Sequence, residues 1–397
     1  MCNGVLDIFA FPLSLILAAV MLVCILLYPK SCPRSLSVAL LGLLALGFAI
    51  LGSIRPIPFQ RLILSPLLLA ATFFCGLTAR DGIKARRKAD FILSHLGLAV
   101  LLGSALFGAP DRINSFVILE KDTAAQRTED GRGLPFELAL KEVHSEFYEG
   151  TAMPKQHCCT VEIDSRLKQI SVNHPAVHKG WLIYLSDFER DSGNRAMLRV
   201  VRDPSIPGVL LGMILLLTGA VLGLKQSWKS PLVIPALIVL AIVFCLASVS
   251  RIHFSQLPPA LRSFWFAPHL IVYMIAYAAL ALSLLFKLLS FIPRFGKLEA
   301  LSRPLLLSSS NLILMGIIFG AIWAQLCWGE YWAWDAKECW AAATYLLCLG
   351  TIHLREKKSR AGFVCALLLS FAAMQMTWYG VNYLPSAKDS MHTYNSK

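Results

Sequence analysis

The chain alternates long apolar runs with shorter polar connections along most of its length. An α-helix needs roughly 20 apolar residues to cross the ~30 Å hydrocarbon core of a bilayer. About ten runs reach or approach that length, and the eighth and ninth are the shortest. The runs lie at 8–27, 35–53, 61–79, 89–107, 207–224, 231–250, 266–289, 311–326, 339–353 and 362–384. This pattern predicts an all-α polytopic membrane protein with about ten transmembrane helices.

One polar stretch, residues 108–206, is long enough to form a soluble domain. Within it, apolar and polar residues alternate over short segments, as they do in half-buried β-strands. The clearest of these segments are 160–164, 168–172, 180–185 and 197–201. We therefore expect a small β-rich domain of antiparallel strands, placed between the fourth and fifth predicted spans.

Composition and charge fit a membrane protein and predict its orientation. Hydrophobic residues make up 56% of the chain and charged residues 15%, and the net charge is +13. The positive charge collects in alternate loops, at 80–88, 225–229, 287–303 and 355–360. Because cytoplasmic loops carry an excess of lysine and arginine, these four loops are predicted to lie inside and the β-rich domain outside. The charge is thereby explained without nucleic-acid binding. The N-terminus lacks the basic region of a cleavable signal, so we expect the first helix to be retained.

The eleven cysteines form no obvious disulfide framework. Most lie in predicted spans, where a thiol is usually a small apolar packing group. Cys158 and Cys159 are adjacent in the predicted outer domain, so a redox role and a packing role both stay open for this pair. The sequence has no Cys-x-x-Cys-His segment, which is the usual site of covalent haem attachment. We therefore expect no covalent haem on this chain.

The segment Trp328–Asp335, which reads WGEYWAWD, places three tryptophans within seven residues at a predicted membrane edge. One interpretation is an ordinary aromatic belt at the membrane interface. Belts, however, spread around a protein rather than gathering in one loop. The other interpretation is a flat aromatic platform formed by Trp328, Trp332 and Trp334, with Asp335 as a polar group at its edge. Such a platform suits a large planar apolar ligand.

Four of the nine histidines fall at positions that suggest function. His95 lies within the fourth span and His353 at the inner end of the ninth, where ionisable residues are rare. His269 and His392 fall at the outer surface in the predicted topology. Each one alone is equally well explained as a packing or loop residue. Together they form two pairs at two depths, and neutral imidazoles on separate elements are standard axial ligands of haem iron.

These motifs make the chain resemble the System II cytochrome c biogenesis proteins, in the fused form that joins a CcsB (ResB) half to a CcsA (ResC) half. The CcsA-like part shows the family's WGxxWxWD motif in full at 328–335. It also shows the KExWA continuation at Lys337, Glu338, Trp340 and Ala341. The segments 258–269 and 380–394 resemble the family's two outer histidine segments, and the resemblance gives those roles to His269 and His392. It gives the membrane histidine role of this half to His353.

The CcsB-like part resembles the family over its membrane helix at 91–108, which carries His95, and over 170–189 and 199–212. The predicted division is an extra N-terminal transmembrane helix at 1–34, a CcsB-like half at 35–225 with its outer domain at 108–206, and a CcsA-like half at 226–397. There are departures from the family. Ala336 stands where proline is usual, the outer domain is short, and the first span has no recognised counterpart.

The resemblance implies a function and a set of partners. It implies haem export and covalent attachment of haem to the Cys-x-x-Cys-His motif of apocytochrome c, that is, a cytochrome c haem lyase. The implied site consists of Trp328, Trp332, Trp334 and Asp335, with His95, His269, His353 and His392 as ligands of the iron of haem b. A thiol-reducing partner and a bacterial cytoplasmic membrane, with the active face outside, also follow from it. The alternatives are a haem exporter or chaperone without ligation activity, a b-type electron carrier, and an assembly protein without haem.

Overall fold

The computed structural model describes residues 13–27, 34–54, 58–108, 112–189, 193–228, 238–239, 256–354 and 360–386. The long helices in these ranges are α1 (Leu13–Leu27), α2 (Arg34–Ser53), α3 (Pro58–Lys84), α4 (Ala89–Gly108), α5 (Ile206–Ser227), α6 (Phe266–Leu289), α7 (Glu299–Trp328), α8 (Ala336–His353) and α9 (Arg360–Trp378). Short 3-10 turns at Pro259–Leu261, Pro293–Leu298 and Gly380–Tyr383 connect or end some of them.

Six helical segments of the described chain are long and apolar enough to cross a membrane, by length and composition. They are Ser35–Ser53, Ala89–Gly108, Ile206–Ser227, Phe266–Leu289, Pro293–Trp328 and Arg360–Trp378. The protein is therefore a polytopic membrane protein, as the sequence predicted. The count of about ten helices stays a prediction, since nearly all of the predicted span 231–250 lies outside the described residues.

Helix α7 differs most from its predicted bounds, which were 311–326. It begins at Glu299 and has 30 residues. The missed part holds several serines, which lower the hydropathy of any window that contains them. In the fold these serines are buried, and two of them bond neighbouring helices: Ser309 donates to the carbonyl oxygen of Ala276 at 2.8 Å, and Ser308 bonds the hydroxyl of Ser227 at 2.8 Å. Buried polar groups that are paired in this way cost little.

The polar stretch forms a β-domain of two four-stranded antiparallel sheets, with strand orders β1-β8-β7-β6 and β2-β3-β4-β5. This confirms the small β-rich region expected from the alternating segments. Its core lies between the sheets and includes Leu138, Val161, Ile183 and Leu198, all with no exposed surface. The strands are β1 (Ile113–Glu120), β2 (Ala124–Arg127), β3 (Gly133–Phe147), β4 (Pro154–Ile163), β5 (Arg166–Ser171), β6 (Ala176–His178), β7 (Trp181–Phe188) and β8 (Arg195–Arg202).

Cys158 and Cys159 lie next to each other in β4, so their side chains point to opposite faces of the sheet. Cys159 belongs to the core between the sheets, and its burial raises the pKa of the thiol to about 12. Both cysteines are free thiols. Cys159 is therefore protonated at neutral pH and packs as an apolar group.

The β-domain is inserted between two helices that pack closely. A Cβ atom added to Gly212 of α5 would lie 2.7 Å from the backbone of Leu101 in α4, so only glycine lets the two backbones approach this closely. The β-domain therefore leaves from, and returns to, the same end of a tight helix pair. That end also carries the tryptophan loop, Trp328–Asp335, which joins α7 to α8.

Candidate functional site

Both ends of the tryptophan loop are fixed by helix-terminating geometry. Helix α7 ends at Trp328, and Gly329 follows in the left-handed conformation (φ 79°), which glycine adopts at low cost. At the other end Asp335 is the N-cap of α8: its carboxylate accepts from the backbone N–H of Lys337 at 2.8 Å. Glu338 completes a capping box by accepting from the backbone N–H of Asp335 at 3.2 Å.

This capping box stabilises the start of α8 at Ala336, the position where the family usually has proline. That residue is the first of helix α8, a position where proline is favoured because the N–H has no helical partner there. Here the helix starts with alanine, and the carboxylates of Asp335 and Glu338 accept from the N–H groups of the loop and first turn. The structure thus places the Asp335 side chain in the framework of the loop, buried to 9% exposure.

Trp332 and Trp334 pack together on helix α2. The rings of Trp334 and Phe48 stack with centroids 5.7 Å apart and an interplanar angle of 9°. Trp332 meets the same Phe48 ring edge-on at 6.1 Å and Trp334 edge-on at 6.4 Å. One face of the Trp334 ring is therefore covered by protein. Phe48 could not be singled out from the sequence, because a phenylalanine in a predicted span looks like any other apolar residue.

Trp328 belongs to a second aromatic cluster, on helices α6 and α7. Its ring lies 5.2 Å from that of Trp323, which in turn lies 5.9 Å from the imidazole of His269 and 5.2 Å from Phe266. The loop therefore connects two aromatic groups, one against α2 and one beside a predicted ligand histidine. The sequence predicted the tryptophans but not this division between them.

His269 lies in the first turns of α6 and is oriented by helix α7. Its Nδ1 atom is 2.8 Å from the backbone carbonyl oxygen of Gly316. A carbonyl oxygen only accepts, so Nδ1 carries the proton and the lone pair is on Nε2. Gly320 makes room for the ring, because a Cβ there would lie 2.8 Å from Nδ1 and Cε1 of His269. Metal-binding imidazoles are commonly held this way through their second nitrogen.

His95 of α4 and His353 of α8 share the same protonation pattern. In each ring Nδ1 is 2.8 Å from the carbonyl oxygen four residues earlier in its own helix, that of Phe91 or Leu349. The lone pair of each is therefore also on Nε2. The fourth predicted ligand, His392, lies outside the described residues.

The β-domain contacts the start of the loop through residues that the sequence did not single out. Arg199 of β8 donates to the carbonyl oxygen of Trp328 at 2.5 Å and forms an ion pair with Glu330. Arg112, just before β1, donates to the carbonyl oxygen of Gly329 at 2.7 Å. Contacts of this kind join residues far apart in the chain and leave no periodic pattern in it.

Comparison with known proteins places these elements in two families. Residues 207–387 match the family described as "Cytochrome C assembly protein", and residues 85–198 match the "ResB-like family". Together the two matches cover about three quarters of the chain. The chain belongs to the System II cytochrome c biogenesis proteins, in the fused form. The resemblance predicted from the motifs is thereby confirmed.

Individual relatives match the second part of this fusion protein. "Cytochrome c biogenesis protein CcsA" of Chlamydomonas reinhardtii is 32% identical over 155 residues, which is 35% of this chain and 43% of that protein. The protein of the same description from Prochlorococcus marinus (strain AS9601) is 32% identical over 168 residues, covering 33% of this chain and 54% of the relative. That of Pyropia yezoensis is 41% identical over 85 residues, covering 21% of this chain and 26% of the relative. The fusion protein thus spans about half the length, or less, of these relatives.

The two matches divide the candidate site of the fusion protein. The tryptophan loop, His269 and His353 all fall within the cytochrome c assembly match, whereas His95 falls within the ResB-like match. His95 and His353 therefore come from different parts of the fusion. Phe48, which stacks on Trp334, precedes both matches.

Proposed function

We propose that this fusion protein moves haem b to the outer face of the bacterial cytoplasmic membrane and attaches it covalently to apocytochrome c. The observation that carries the proposal is the setting of His269. Its ring has Nδ1 occupied by the Gly316 carbonyl, has its lone pair on Nε2, and lies in the aromatic cluster that includes Trp328. An oriented neutral imidazole beside a tryptophan loop suits an iron porphyrin, which is planar, apolar and open to axial ligation.

His269 and His392 act as the two axial ligands of the iron at this outer site. The role of His392 follows from the resemblance of the 380–394 segment to the family. The exposed surface of the tryptophan loop contacts the macrocycle, while Asp335 keeps the loop in register by capping α8. Because the buried face of Trp334 rests on Phe48, haem contacts the loop from the side away from α2.

The chemical step is the addition of a thiol to a vinyl group. It depends more on how these two groups are positioned than on a catalytic side chain. Each of the two thiols of a Cys-x-x-Cys-His segment adds across one haem vinyl group. The S–H bond breaks, sulfur bonds the vinyl carbon next to the ring, and the hydrogen ends on the terminal carbon. No oxidant or reductant is consumed. Holding vinyl and thiol together removes most of the entropic barrier. A thiol-reducing partner keeps both cysteines available, and the histidine of the segment replaces one protein ligand on release.

His95 and His353 form an inner station for the same ligand. Both have Nε2 as their ligand atom, and they lie on helices from the two parts of the fusion. Haem that bridges them would sit nearer the predicted cytoplasmic side, because His353 ends helix α8 at the end away from the tryptophan loop. The two stations then give haem a stepwise route outward.

The experiment is purification of the protein from cells that also express an apocytochrome c. We expect the wild type to carry haem with a six-coordinate bis-histidine absorption spectrum and to yield cytochrome with covalent haem. His269→Gly and His392→Gly should each lose the spectrum and the yield, and added imidazole should restore part of both by filling the vacant position. His174→Gly, at an exposed turn of the β-domain, is the matched control.

Two outcomes would redirect the proposal. If both glycine variants bind haem with an unchanged spectrum, the outer ligand assignment is wrong. If the wild type binds haem normally but forms no covalent cytochrome with reduced thiols supplied, the protein is a haem exporter or chaperone without ligation activity.

A further inference from the structure

The β-domain holds the start of the tryptophan loop through one arginine with three partners. On β8, Arg199 donates from Nη1 to the carbonyl oxygen of Trp328 at 2.5 Å. Its Nη2 bonds the carboxylate of Glu330, and its Nε donates to Oδ1 of Asn114 at 2.7 Å. Asn114 of β1 donates to the same Glu330 oxygen at 2.9 Å. The Arg199 guanidinium, the Asn114 amide and the Glu330 carboxylate therefore each form a hydrogen bond with the other two.

A second arginine holds the next peptide group. Arg112 donates from Nη2 to the carbonyl oxygen of Gly329 at 2.7 Å, and Asp203 lies 3.5 Å from its Nε. The last carbonyls of a helix have no partner within the helix, and cations are favourable at that end of the helix dipole. Arg199 and Arg112 thus supply from the β-domain the donors that helix α7 lacks.

Strand β7 also contacts the end of helix α7, through Tyr184. The side chain of Gln325, one turn before the end of α7, donates to the hydroxyl oxygen of Tyr184 on β7 at 3.1 Å. Gly329 packs on the Tyr184 ring, where an added Cβ would lie 3.0 Å from it. Both Tyr184 and Gln325 are buried. Strands β1, β7 and β8 therefore all meet the same short piece of chain, residues 325–330.

The geometry favours arginine specifically at position 199. The side chains of Arg199 and Glu330 are only 14% and 22% exposed, so solvent screens this pair weakly. A planar guanidinium presents several donors in a fixed fork, and here three of them point at three different acceptors. A lysine has one nitrogen on a flexible stem and cannot hold the same arrangement.

We propose that Arg199 is a positioning residue that sets the direction of the chain where it leaves helix α7, at Trp328. It binds the carbonyl of Trp328, whose ring packs on Trp323, which packs on His269. The β-domain thereby aligns the aromatic group beside the proposed haem ligand. This inference rests on the proposed function, to which it adds a role for the ResB-like part in the haem site itself.

The first test measures the loop without haem, by hydrogen exchange of the 328–335 segment in the full-length protein. Arg199→Gln should speed exchange there about tenfold or more, and Arg199→Lys should speed it nearly as much. The exchanged pair, Arg199→Glu with Glu330→Arg, restores the ion pair but supplies no donor for the Trp328 carbonyl, so exchange should stay fast. Arg202→Gln, an exposed arginine on the same strand, is the matched control and should change nothing. Wild-type exchange in Arg199→Gln would overturn the proposal.

The second test measures the haem site with the same variants. We expect Arg199→Gln to retain folded protein and bound haem, with an altered absorption spectrum and a covalent cytochrome yield about tenfold lower, and the exchanged pair to stay equally impaired. An unchanged spectrum and yield would overturn the positioning role. So would a loss of protein, haem and yield in equal proportion, or a full recovery in the exchanged pair, since either is the signature of a purely structural ion pair. If the wild type itself bound no haem, the proposed function would fail. The hydrogen-exchange result would still show whether Arg199 holds the loop.

Discussion

The Nδ1 atom of His269 donates to the carbonyl oxygen of Gly316, 2.8 Å away on the neighbouring helix. One turn further along α7, Gly320 lies against the same ring. The imidazole is therefore held by a hydrogen bond on one side and by close packing on the other. A ligand ring fixed in this way presents Nε2 in one direction, which is the property that an axial ligand of iron requires.

We predict that Gly320→Ala impairs the outer site without removing any ligand. The added methyl would lie 2.8 Å from two atoms of the His269 ring, so the ring must turn or shift. Loss of an outer-shell contact of this kind typically costs about 10–100-fold in metal affinity or activity. The cytochrome yield of the variant should fall by about tenfold, with a changed haem spectrum. Gly42→Ala on α2, where an added Cβ meets nothing within 4 Å, is the control and should match the wild type.

The second prediction concerns Phe48, which supports the loop from helix α2. Phe48→Ala removes the ring on which Trp334 stacks, and an aromatic pair of this kind contributes about 0.5–1.5 kcal/mol beyond its buried area. We expect a shift in tryptophan fluorescence and a lower haem content in the purified protein. Phe363→Ala, at a fully buried position in another core cluster, controls for general loss of packing. Equal haem loss in both variants would contradict a specific role for Phe48.

These two predictions show what the sequence could and could not supply. The tryptophan loop, His269 and four of the eight strands of the β-domain, β4, β5, β7 and β8, were accessible from the sequence, because local composition and period-two alternation mark them directly. Helix α7 was predicted too short, because Ser308 and Ser309 find their hydrogen-bond partners on neighbouring helices only after the helices pack. Phe48 and Arg199 were missed for a related reason. Each acts on a loop more than 100 residues away in sequence, and such contacts are set by tertiary packing alone.

The third prediction tests the adjacent cysteines. With a pKa of about 12, the Cys159 thiol is ionised in roughly one molecule in ten thousand at pH 8, because each pH unit changes the ratio tenfold. Alkylation of the native protein should therefore spare Cys159 until the β-domain is unfolded. The double variant Cys158→Ala, Cys159→Ala should retain its cytochrome yield. A loss of yield in the double variant, with the wild type sensitive to the redox state of the medium, would instead support a redox role for the pair.

The fourth prediction concerns orientation, on which the outer and inner stations depend. Reporter fusions ending in the basic turn at Ala85 should read cytoplasmic, and fusions ending at Gly150 in the β-domain should read external. An internal signal at Gly150 would put the β-domain and the tryptophan loop on the cytoplasmic side and would contradict attachment of haem outside.

The last prediction separates a haem station from two packing histidines. If His95 and His353 ligate one iron, they act as a unit, and losing either ligand should deplete haem as much as losing both. If they merely pack between helices, their effects should be independent and should add. We therefore expect His95→Ala, His353→Ala and the double variant to show the same fall in haem at the outer site, with normal amounts of folded protein in the membrane. Additive effects on protein amount, with wild-type haem per molecule, would leave His95 and His353 as structural residues and haem with another route to His269.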